Sequence, residues 1–322
     1  MRKTMMIILS LYFMTIPVQA ESYVVMSGAD NTIIEEKNKD EVQSVASISK
    51  IMTCILAIEY GNLDEEFKVD EEVLATYGSS IYLKQGQTVS LKDLLYGLML
   101  RSGNDAAVEI ANHVAGSNEA FVNLMNEKAS EIGMSNTVFH NPSGLDEEDD
   151  GNLSTAHDMA ILMSYAMKNE TFNIITASKY YTNSWNLRWQ NKNKLLFDYP
   201  FATGGKTGFT KKAGRTLVTA ADHNGVSSIV VTLNMSDDFS FHKQKHTETF
   251  QTMEVVTLLK KGNIYVNNKK IHIDDDVRIT LHKDGSDKMH IQTHFEGNIL
   301  VMEIIKNNEV QVYSFTGKGS VK

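Results

Sequence analysis

The chain has 322 residues, of which 42% are hydrophobic and 22% charged, enough for one large globular domain and a smaller one. Its formal net charge of −9 disfavours nucleic acid as a partner, because no basic stripe exists to meet the phosphates. The same charge disfavours electrostatic docking on an anionic membrane. The single cysteine, Cys54, can form no internal disulfide, so stability must come from the core.

The N-terminus has the pattern of a secretory signal peptide. Arg2 and Lys3 precede a short apolar segment at residues 5–16. Small residues at Val18 and Ala20 then occupy the two positions that determine cleavage. The sequence predicts a signal peptide at residues 1–20, cleaved after Ala20, and hence an exported protein. An uncleaved membrane anchor is the alternative.

Two predicted strands, residues 23–26 and 32–34, lead into a helix that begins near Ser47. Along it, isoleucines recur at the spacing of a buried helical face: Ile48, Ile51, Ile55 and Ile58. Ser47 and Lys50 lie three residues apart and share one face of this helix. A hydroxyl beside an amine at a helix start predicts a nucleophile and its base, with N–H groups suited to an oxyanion. A Ser-x-x-Lys pattern alone is weak evidence for catalysis, because residues 240–243 repeat it without an apolar helix behind them.

Capping patterns predict the helices that follow. Ser90, with Asp93 three residues later, is typical of a helix N-terminus. That helix ends at a tight turn containing Ser102 and Asn104, and the next helix runs over residues 105–115. The same reasoning predicts two more capped helices, at residues 117–132 and 155–167. A short turn between core helices holds its side chains rigidly, although an ordinary helix–helix connection has the same pattern.

Two segments match metal-binding patterns only in part. An acidic run at residues 147–150 follows Asp146, but His157 stands where a calcium loop needs a bidentate Glu. His242 and His246 lie four residues apart without an evident third ligand. We therefore interpret the first segment as a solvated loop and the second as a solvated helix face. No metal and no cofactor are expected.

The second half of the chain changes to strand-like patterns. Gly204-Gly205-Lys206-Thr207-Gly208 begins a strand whose glycines leave room for a ligand backbone. Residues 215–221 and 226–233 form a predicted hairpin across an Asn-Gly turn. After about Lys261 the sequence predicts a small all-β region made of short alternating strands, at residues 270–273, 277–281, 289–294, 299–305 and 309–315.

Three motifs occur in a meaningful order: Ser47-x-x-Lys50, Ser102-x-Asn104 and Lys206-Thr207-Gly208. This combination is typical of serine penicillin-recognising enzymes. From about residue 22 to 258 the chain resembles the low-molecular-mass penicillin-binding proteins, the serine-type D-alanyl-D-alanine carboxypeptidases. Further segments that match this family are Asn141-Pro142-Ser143-Gly144-Leu145-Asp146, Ser154-Thr155-Ala156-His157-Asp158-Met159-Ala160 and Ala213-Gly214.

The resemblance implies an α+β fold. A β-lactamase/transpeptidase-like domain, with an antiparallel sheet flanked by helices, is expected at residues 21–258. A small C-terminal all-β domain is expected at residues 259–322.

The resemblance also implies removal of the terminal D-Ala from peptidoglycan pentapeptides ending in D-Ala-D-Ala, with β-lactams as covalent inhibitors. The implied catalytic residues are Ser47 as nucleophile, Lys50 as base, Ser102 as proton relay and Asn104 as the residue that orients the substrate amide. The implied substrate-binding residues are Lys206, Thr207, Gly208, Phe209 and Thr210. Lys206 is the expected second cation that lowers the pKa of Lys50, and the backbone N–H groups of Ser47 and Phe209 are the expected oxyanion hole.

The chain departs from the family at three places. Val45 stands where the family usually has Pro. The family often carries an Arg after the last sheet strand, but residues 237–243 contain none, so carboxylate binding is expected to rest on Lys206, Thr207 and Thr210. The C-terminus is strand-like, and the membrane-anchoring amphipathic helix of the family is not evident. The mature chain is therefore expected to be soluble outside the cytoplasmic membrane.

Two other functions remain open at this stage. A class A-like β-lactamase shares the fold and the acylation step, but its second motif is Ser-Asp-Asn rather than Ser-Gly-Asn. A non-catalytic cell-wall-binding relative would retain the fold without turnover. The sequence does not distinguish carboxypeptidase from endopeptidase action.

Overall fold

The computed structural model describes residues 20–146 and 151–318. Residues 1–19 of the predicted signal peptide and the acidic run at residues 147–150 lie outside the described residues. Ala20, the expected cleavage position, is the first residue described.

The eighteen described strands follow the chain in this order: β1 Ser22–Ser27, β2 Ile33–Lys37, β3 Gln43–Ser44, β4 Glu66–Lys68, β5 Thr88–Ser90, β6 Leu153–Ser154, β7 Tyr180–Thr182, β8 Arg188–Gln190, β9 Ala202–Thr210, β10 Gly214–His223, β11 Val226–Leu233, β12 Met253–Leu259, β13 Gly262–Val266, β14 Lys269–Ile273, β15 Val277–His282, β16 Met289–Glu296, β17 Ile299–Lys306 and β18 Glu309–Lys318.

The eight described α-helices are α1 Lys50–Tyr60, α2 Leu91–Tyr96, α3 Asn104–Ala115, α4 Asn118–Glu131, α5 Ala156–Ala166, α6 Glu170–Ala177, α7 Leu195–Asp198 and α8 Asp238–Thr252. Three predicted N-caps are confirmed, since the side chains of Ser90, Ser117 and Thr155 each accept a hydrogen bond from the backbone N–H three residues later. Within the described residues, none of the helices has both the length and the apolar character needed to span a bilayer.

The larger part of the molecule is built on a five-stranded antiparallel sheet. Its strand order is β2-β1-β11-β10-β9. Helix α5 packs on β1 and β11, and α8 packs on β10 and β11. Helix α1 contacts α3 and α5 and is buried along residues 50–57. The predicted hairpin is confirmed, with β10 and β11 pairing across Asn224-Gly225.

The C-terminal strands form a separate small core. β13, β14, β18, β17 and β16 make one antiparallel sheet, and β12 pairs with β15. This region contacts the turn between β1 and β2 through a polar cluster. Lys306 Nζ donates to Thr32 Oγ1 at 2.9 Å, and Thr280 N donates to Asp30 Oδ2 at 2.8 Å. The predicted α+β class, with an antiparallel sheet flanked by helices and a small C-terminal all-β region, is confirmed. The boundary at residue 258 stays a prediction.

The expectation of a solvated face at His242 and His246 is wrong. Both imidazoles are fully buried between α8 and the sheet. Thr219 Oγ1 lies 2.7 Å from His242 Nδ1 and 2.8 Å from His246 Nε2, and Ser228 Oγ lies 2.9 Å from His246 Nδ1. Hydroxyls on β10 and β11 thus provide partners that a helix pattern alone does not reveal, and the two rings belong to the packing of the sheet.

This histidine pair predicts a loss of stability in mild acid. Burial lowers the pKa of His246 to about 3 and that of His242 well below its usual range, so both rings are neutral when folded. An unfolded histidine takes up a proton near pH 6.5. The stabilisation is therefore present above that pH and is lost as the pH falls from about 6.5 towards about 3.

We expect His246→Gln to reduce the change in unfolding free energy between pH 7.5 and pH 5 by about 2 kcal/mol. Urea denaturation at both pH values measures this change in unfolding free energy. His290→Gln, on an exposed strand residue, is the control and should keep the wild-type pH dependence. The same pH dependence in His246→Gln as in the wild type would contradict this explanation.

Candidate active site

Ser47 lies in a short 3₁₀ turn, Ala46–Ser49, directly before α1. Ala46 has a φ of 50°, a left-handed conformation that costs a residue with a Cβ about 1–3 kcal/mol. Ser49 Oγ donates to the Ala46 carbonyl at 2.9 Å and stabilises the turn. Ser49 is thus used structurally, whereas Ser47 remains partly exposed.

Lys50 is fully buried, and its amine has three close oxygen neighbours. Lys50 Nζ lies 3.0 Å from Ser47 Oγ and 2.8 Å from Asn104 Oδ1, and it also contacts the Ser143 carbonyl. The Asn104 and Ser143 oxygens can only accept hydrogen bonds. A neutral amine has two N–H donors for them and one lone pair, which is left directed at the hydroxyl of Ser47. The geometry therefore fits Lys50 as the base for Ser47.

The electrostatic environment favours this neutral amine. Burial, assisted by the positive charge of Lys192 and opposed by Asp105, lowers the pKa of Lys50 to about 7. An ordinary lysine has a pKa near 10.4. A large part of the Lys50 population is thus unprotonated at neutral pH. The cation that lowers this pKa is Lys192, which the sequence analysis did not single out. The expectation that Lys206 has this role is wrong, because Lys206 is itself fully buried and its own pKa is lowered.

A hydrogen-bonded loop fixes the Ser143 carbonyl against Lys50. Asn141 Oδ1 accepts from Ser143 N at 3.1 Å and from Gly144 N at 2.7 Å. Asn152 Nδ2 donates to the Asn141 carbonyl at 2.9 Å. Gly144 has a φ of +75°, and a Cβ there would lie 2.0 Å from the Ala46 carbonyl oxygen. Only glycine allows this loop to approach the nucleophile turn so closely.

Ser102 and Asn104 lie on the predicted tight turn. Helix α2 continues as a π-turn, Gly97–Arg101, which ends at Ser102 in the left-handed conformation. Wide turns of this kind are frequent at functional sites. Asn104 opens α3, and its Nδ2 donates to the Tyr77 carbonyl at 2.6 Å. This bond fixes the amide so that Oδ1 faces Lys50.

Lys206 approaches from β9 on the other side of Ser102. Its Nζ donates to Ser102 Oγ at 2.9 Å and to the Thr207 carbonyl at 2.7 Å. Burial first, and then the charges of Lys50 and Lys192, lower the pKa of Lys206 well below its usual range. A negatively charged ligand beside Lys206 would favour its charged form again.

A cavity of about 310 Å³ opens onto these groups. Its lining includes Ser47, Ser102, Thr207, Gly208 and Phe209. A Cβ on Gly208 would lie 3.0 Å from the backbone nitrogen of Ser47, so glycine lets β9 run close to the nucleophile turn.

Thr210 is placed differently from the other expected substrate-binding residues. Thr210 follows at the end of β9, where its Oγ1 accepts a hydrogen bond from Ala213 N at 3.0 Å. Its proposed role in substrate binding stays a prediction.

The structure adds charged residues that the sequence analysis missed. Lys192, Lys194, Arg215 and Asp238 also line the cavity. Lys192 Nζ donates to Ser79 Oγ at 3.1 Å, and Arg215 pairs with Asp238 at 2.7 Å. Lys192, Lys194 and Asp238 reach the site from segments distant in sequence, whereas Arg215 lies opposite Phe209 across the β9–β10 hairpin.

Comparisons with known proteins show which family the chain resembles. The family model for D-alanyl-D-alanine carboxypeptidases, peptidase family S11, matches residues 13–237. The D-alanyl-D-alanine carboxypeptidase DacF of Bacillus subtilis is 34% identical over 227 residues, covering 68% of this chain and 58% of the relative. DacC of Escherichia coli, with the same description, is 34% identical over 269 residues, covering 78% of this chain and 66% of the relative. The matches thus span less than two thirds of the length of these two relatives.

Solved structures of related proteins have a similar fold. A D-alanyl-D-alanine carboxypeptidase from Mycobacterium tuberculosis superposes with a TM-score of 0.68 at 27% identity, covering 71% of this chain and 90% of the other. Penicillin-binding protein 5 from Haemophilus influenzae shares the fold over 94% of this chain and 98% of its own, with a TM-score of 0.76 at 24% identity. Because the family model covers more than half of the sequence, the resemblance is confirmed, and the chain belongs to the D-alanyl-D-alanine carboxypeptidase family.

Proposed function

We propose that this chain is a serine-type D-alanyl-D-alanine carboxypeptidase, which removes the terminal D-Ala from peptidoglycan stem peptides through an acyl-enzyme on Ser47. The placement of Lys50 carries the proposal. Its buried amine lies 3.0 Å from Ser47 Oγ, while Asn104 and Ser143 provide acceptors for its N–H groups. Family membership supports the choice of substrate.

Acylation begins when the Lys50 lone pair takes the proton of the Ser47 hydroxyl. Ser47 Oγ then attacks the carbonyl carbon of the penultimate D-Ala, and the carbonyl electron pair moves to its oxygen. The backbone N–H groups of Ser47 and Phe209 are the proposed donors to this oxyanion. Gly208 supports this role because it brings β9 close to the Ser47 nitrogen.

Expulsion of the leaving D-Ala requires a proton on its nitrogen. Ser102 is the proposed relay, since its hydroxyl lies 2.9 Å from Lys206 Nζ. The C–N bond breaks as the nitrogen takes the proton of the Ser102 hydroxyl, which Lys206 Nζ replaces through its hydrogen bond to Ser102 Oγ. An ester to Ser47 remains, and Lys50 holds the proton that came from Ser47. Water then adds to the ester carbonyl carbon and gives a proton back to Lys206. As the ester C–O bond breaks, the proton held by Lys50 returns to Ser47 Oγ and the shortened peptide is released.

The direct test is incubation of the exported chain with a pentapeptide that ends in D-Ala-D-Ala, followed by detection of free D-Ala. Release of D-Ala supports the carboxypeptidase. Rapid hydrolysis of penicillin without D-Ala release would instead indicate a β-lactamase. Penicillin binding with neither reaction would indicate a non-catalytic wall-binding relative.

Ser47 alone should carry the acyl group. After treatment with penicillin, mass spectrometry of a digest should place the adduct on the peptide that contains Ser47. Ser47→Ala should lower turnover by about 10⁴–10⁶-fold, as for other nucleophile deletions. Ser240→Ala is the control and should retain the wild-type turnover. An adduct on Ser102 or Ser240 would overturn the assignment.

The two site lysines should respond differently to arginine. Lys50→Arg fixes a positive charge where a neutral base is needed, and we expect acylation by fluorescent penicillin to be abolished. Lys206→Arg keeps a cation for the substrate carboxylate and should retain part of the acylation rate. The loss is expected to be partial because the geometry of arginine differs from that of lysine. Lys128→Arg, at a buried lysine paired with Glu59, is the control for buried substitution. Equal losses at positions 50 and 206 would contradict this division of roles.

We also propose that the mature enzyme acts outside the cytoplasmic membrane, after cleavage behind Ala20. The pattern at residues 1–20 supports this. Fractionation of cells that express the full chain should recover it outside the membrane fraction, with Glu21 as the N-terminal residue. A membrane-bound product that retains Met1 would show that the apolar segment serves as an anchor.

A further inference from the structure

We propose that Arg215 recognises the terminal carboxylate of the substrate and thereby restricts this site to exopeptidase action. The inference rests on the proposed function, because it concerns which peptide ends the Ser47 site accepts. Sequence analysis assigned carboxylate binding to residues of β9 and left exopeptidase and endopeptidase action open. The structure adds a guanidinium from the neighbouring strand.

Arg215 is placed by the pairing of two strands. It lies on β10 directly opposite Phe209 of β9. The Arg215 side chain is 45% exposed and lines the same cavity as Ser47 and Thr207. The guanidinium is therefore accessible to a ligand in the cavity onto which the nucleophile opens.

A buried carboxylate holds this side chain in place. Asp238 is 3% exposed and accepts from an Arg215 terminal nitrogen at 2.7 Å. Asp238 also accepts from the backbone nitrogen of Phe239 at 2.8 Å, which fixes it at the start of α8. A guanidinium has five N–H donors in a planar fork. The ion pair thus orients Arg215 and leaves donors for the two oxygens of a second carboxylate.

The surroundings of Arg215 favour an anion. The Phe239 ring lies 5.8 Å from the Arg215 guanidinium carbon and 5.9 Å from Lys194 Nζ. One aromatic ring thus lies close to two cations at the cavity wall. This positive wall contrasts with the formal charge of −9 on the whole chain. Since Asp238 already pairs with Arg215, the charge of Lys194 adds to the attraction for an acidic ligand.

The residues expected to bind the carboxylate have other partners. Lys206 Nζ donates to Ser102 and to the Thr207 carbonyl, and Thr210 Oγ1 accepts from Ala213 N. A carboxylate prefers bidentate pairing with a planar fork, which arginine supplies and lysine does not. Arg215 therefore gives the site a means of distinguishing a free carboxylate from the amide of a continuing chain.

Two matched substrates test this role: an acyl-D-Ala-D-Ala peptide with a free C-terminus, and the same peptide as its C-terminal amide. We expect the wild-type chain to have a much higher kcat/KM for the free acid. Arg215→Gln should reduce that preference at least tenfold by lowering kcat/KM for the acid, with little change for the amide. Arg215→Lys keeps the positive charge but not the planar fork, and its preference for the free acid should lie between those of the wild type and Arg215→Gln.

Lys211→Gln is the matched control, because it removes one positive charge from the exposed turn of the same β9–β10 hairpin. It should keep the wild-type preference. Equal losses on both substrates in Arg215→Gln would overturn the inference and indicate a structural role. A wild-type chain that cleaves both substrates equally well would also overturn it while leaving the hydrolase in place. A wild-type chain that cleaves neither would refute the proposed function itself.

Discussion

Lys50 places an amine in a fully buried position within 3.0 Å of the Ser47 hydroxyl, and the arrangement of the site follows from that placement. A charged ammonium in such a position carries a desolvation penalty of several kcal/mol, whereas a neutral amine needs only acceptors for its N–H groups. The Asn104 side chain and the Ser143 carbonyl supply them. The same burial that disfavours the proton leaves the lone pair of the neutral amine directed at the Ser47 hydroxyl. The packing of Lys50 and its proposed role as a base therefore depend on the same contact.

Holding three distant segments around this amine requires unusual backbone geometry. Ala46 and Ser102 both adopt positive φ, and such conformations persist only where their surroundings fix them. For Ala46 the surroundings include Ser49 and the close approach of Gly144. For Ser102 they include the π-turn and the bond from Lys206. Strained residues thus stand next to the groups that must be positioned, as is common at active sites.

Local signals in the sequence predicted much of this structure. Caps such as Ser90 and the Asn-Gly hairpin depend on neighbouring residues, and the structure has them as predicted. The strand predicted from Gly204 is also present, and it begins at Ala202. The contacts that were missed join elements distant in sequence. The buried rings of His242 and His246 find hydrogen-bond partners in hydroxyls on β10 and β11. Lys192 likewise reaches the site from a segment distant in sequence. Arg215 is the exception, since it lies opposite Phe209 across the β9–β10 hairpin.

About half of the Lys50 side chains are expected to be neutral in the free protein near pH 7, and a titration of Lys50 tests this most directly. The full chain, labelled with ¹³C at the lysine ε-carbons, gives one NMR signal per lysine, and the Lys50→Arg variant identifies the signal of Lys50. The structure predicts that this signal titrates with a midpoint at about pH 7, while exposed lysines titrate near 10.4. A Lys50 signal that stays in its protonated position up to pH 10 would contradict the assignment of Lys50 as the base.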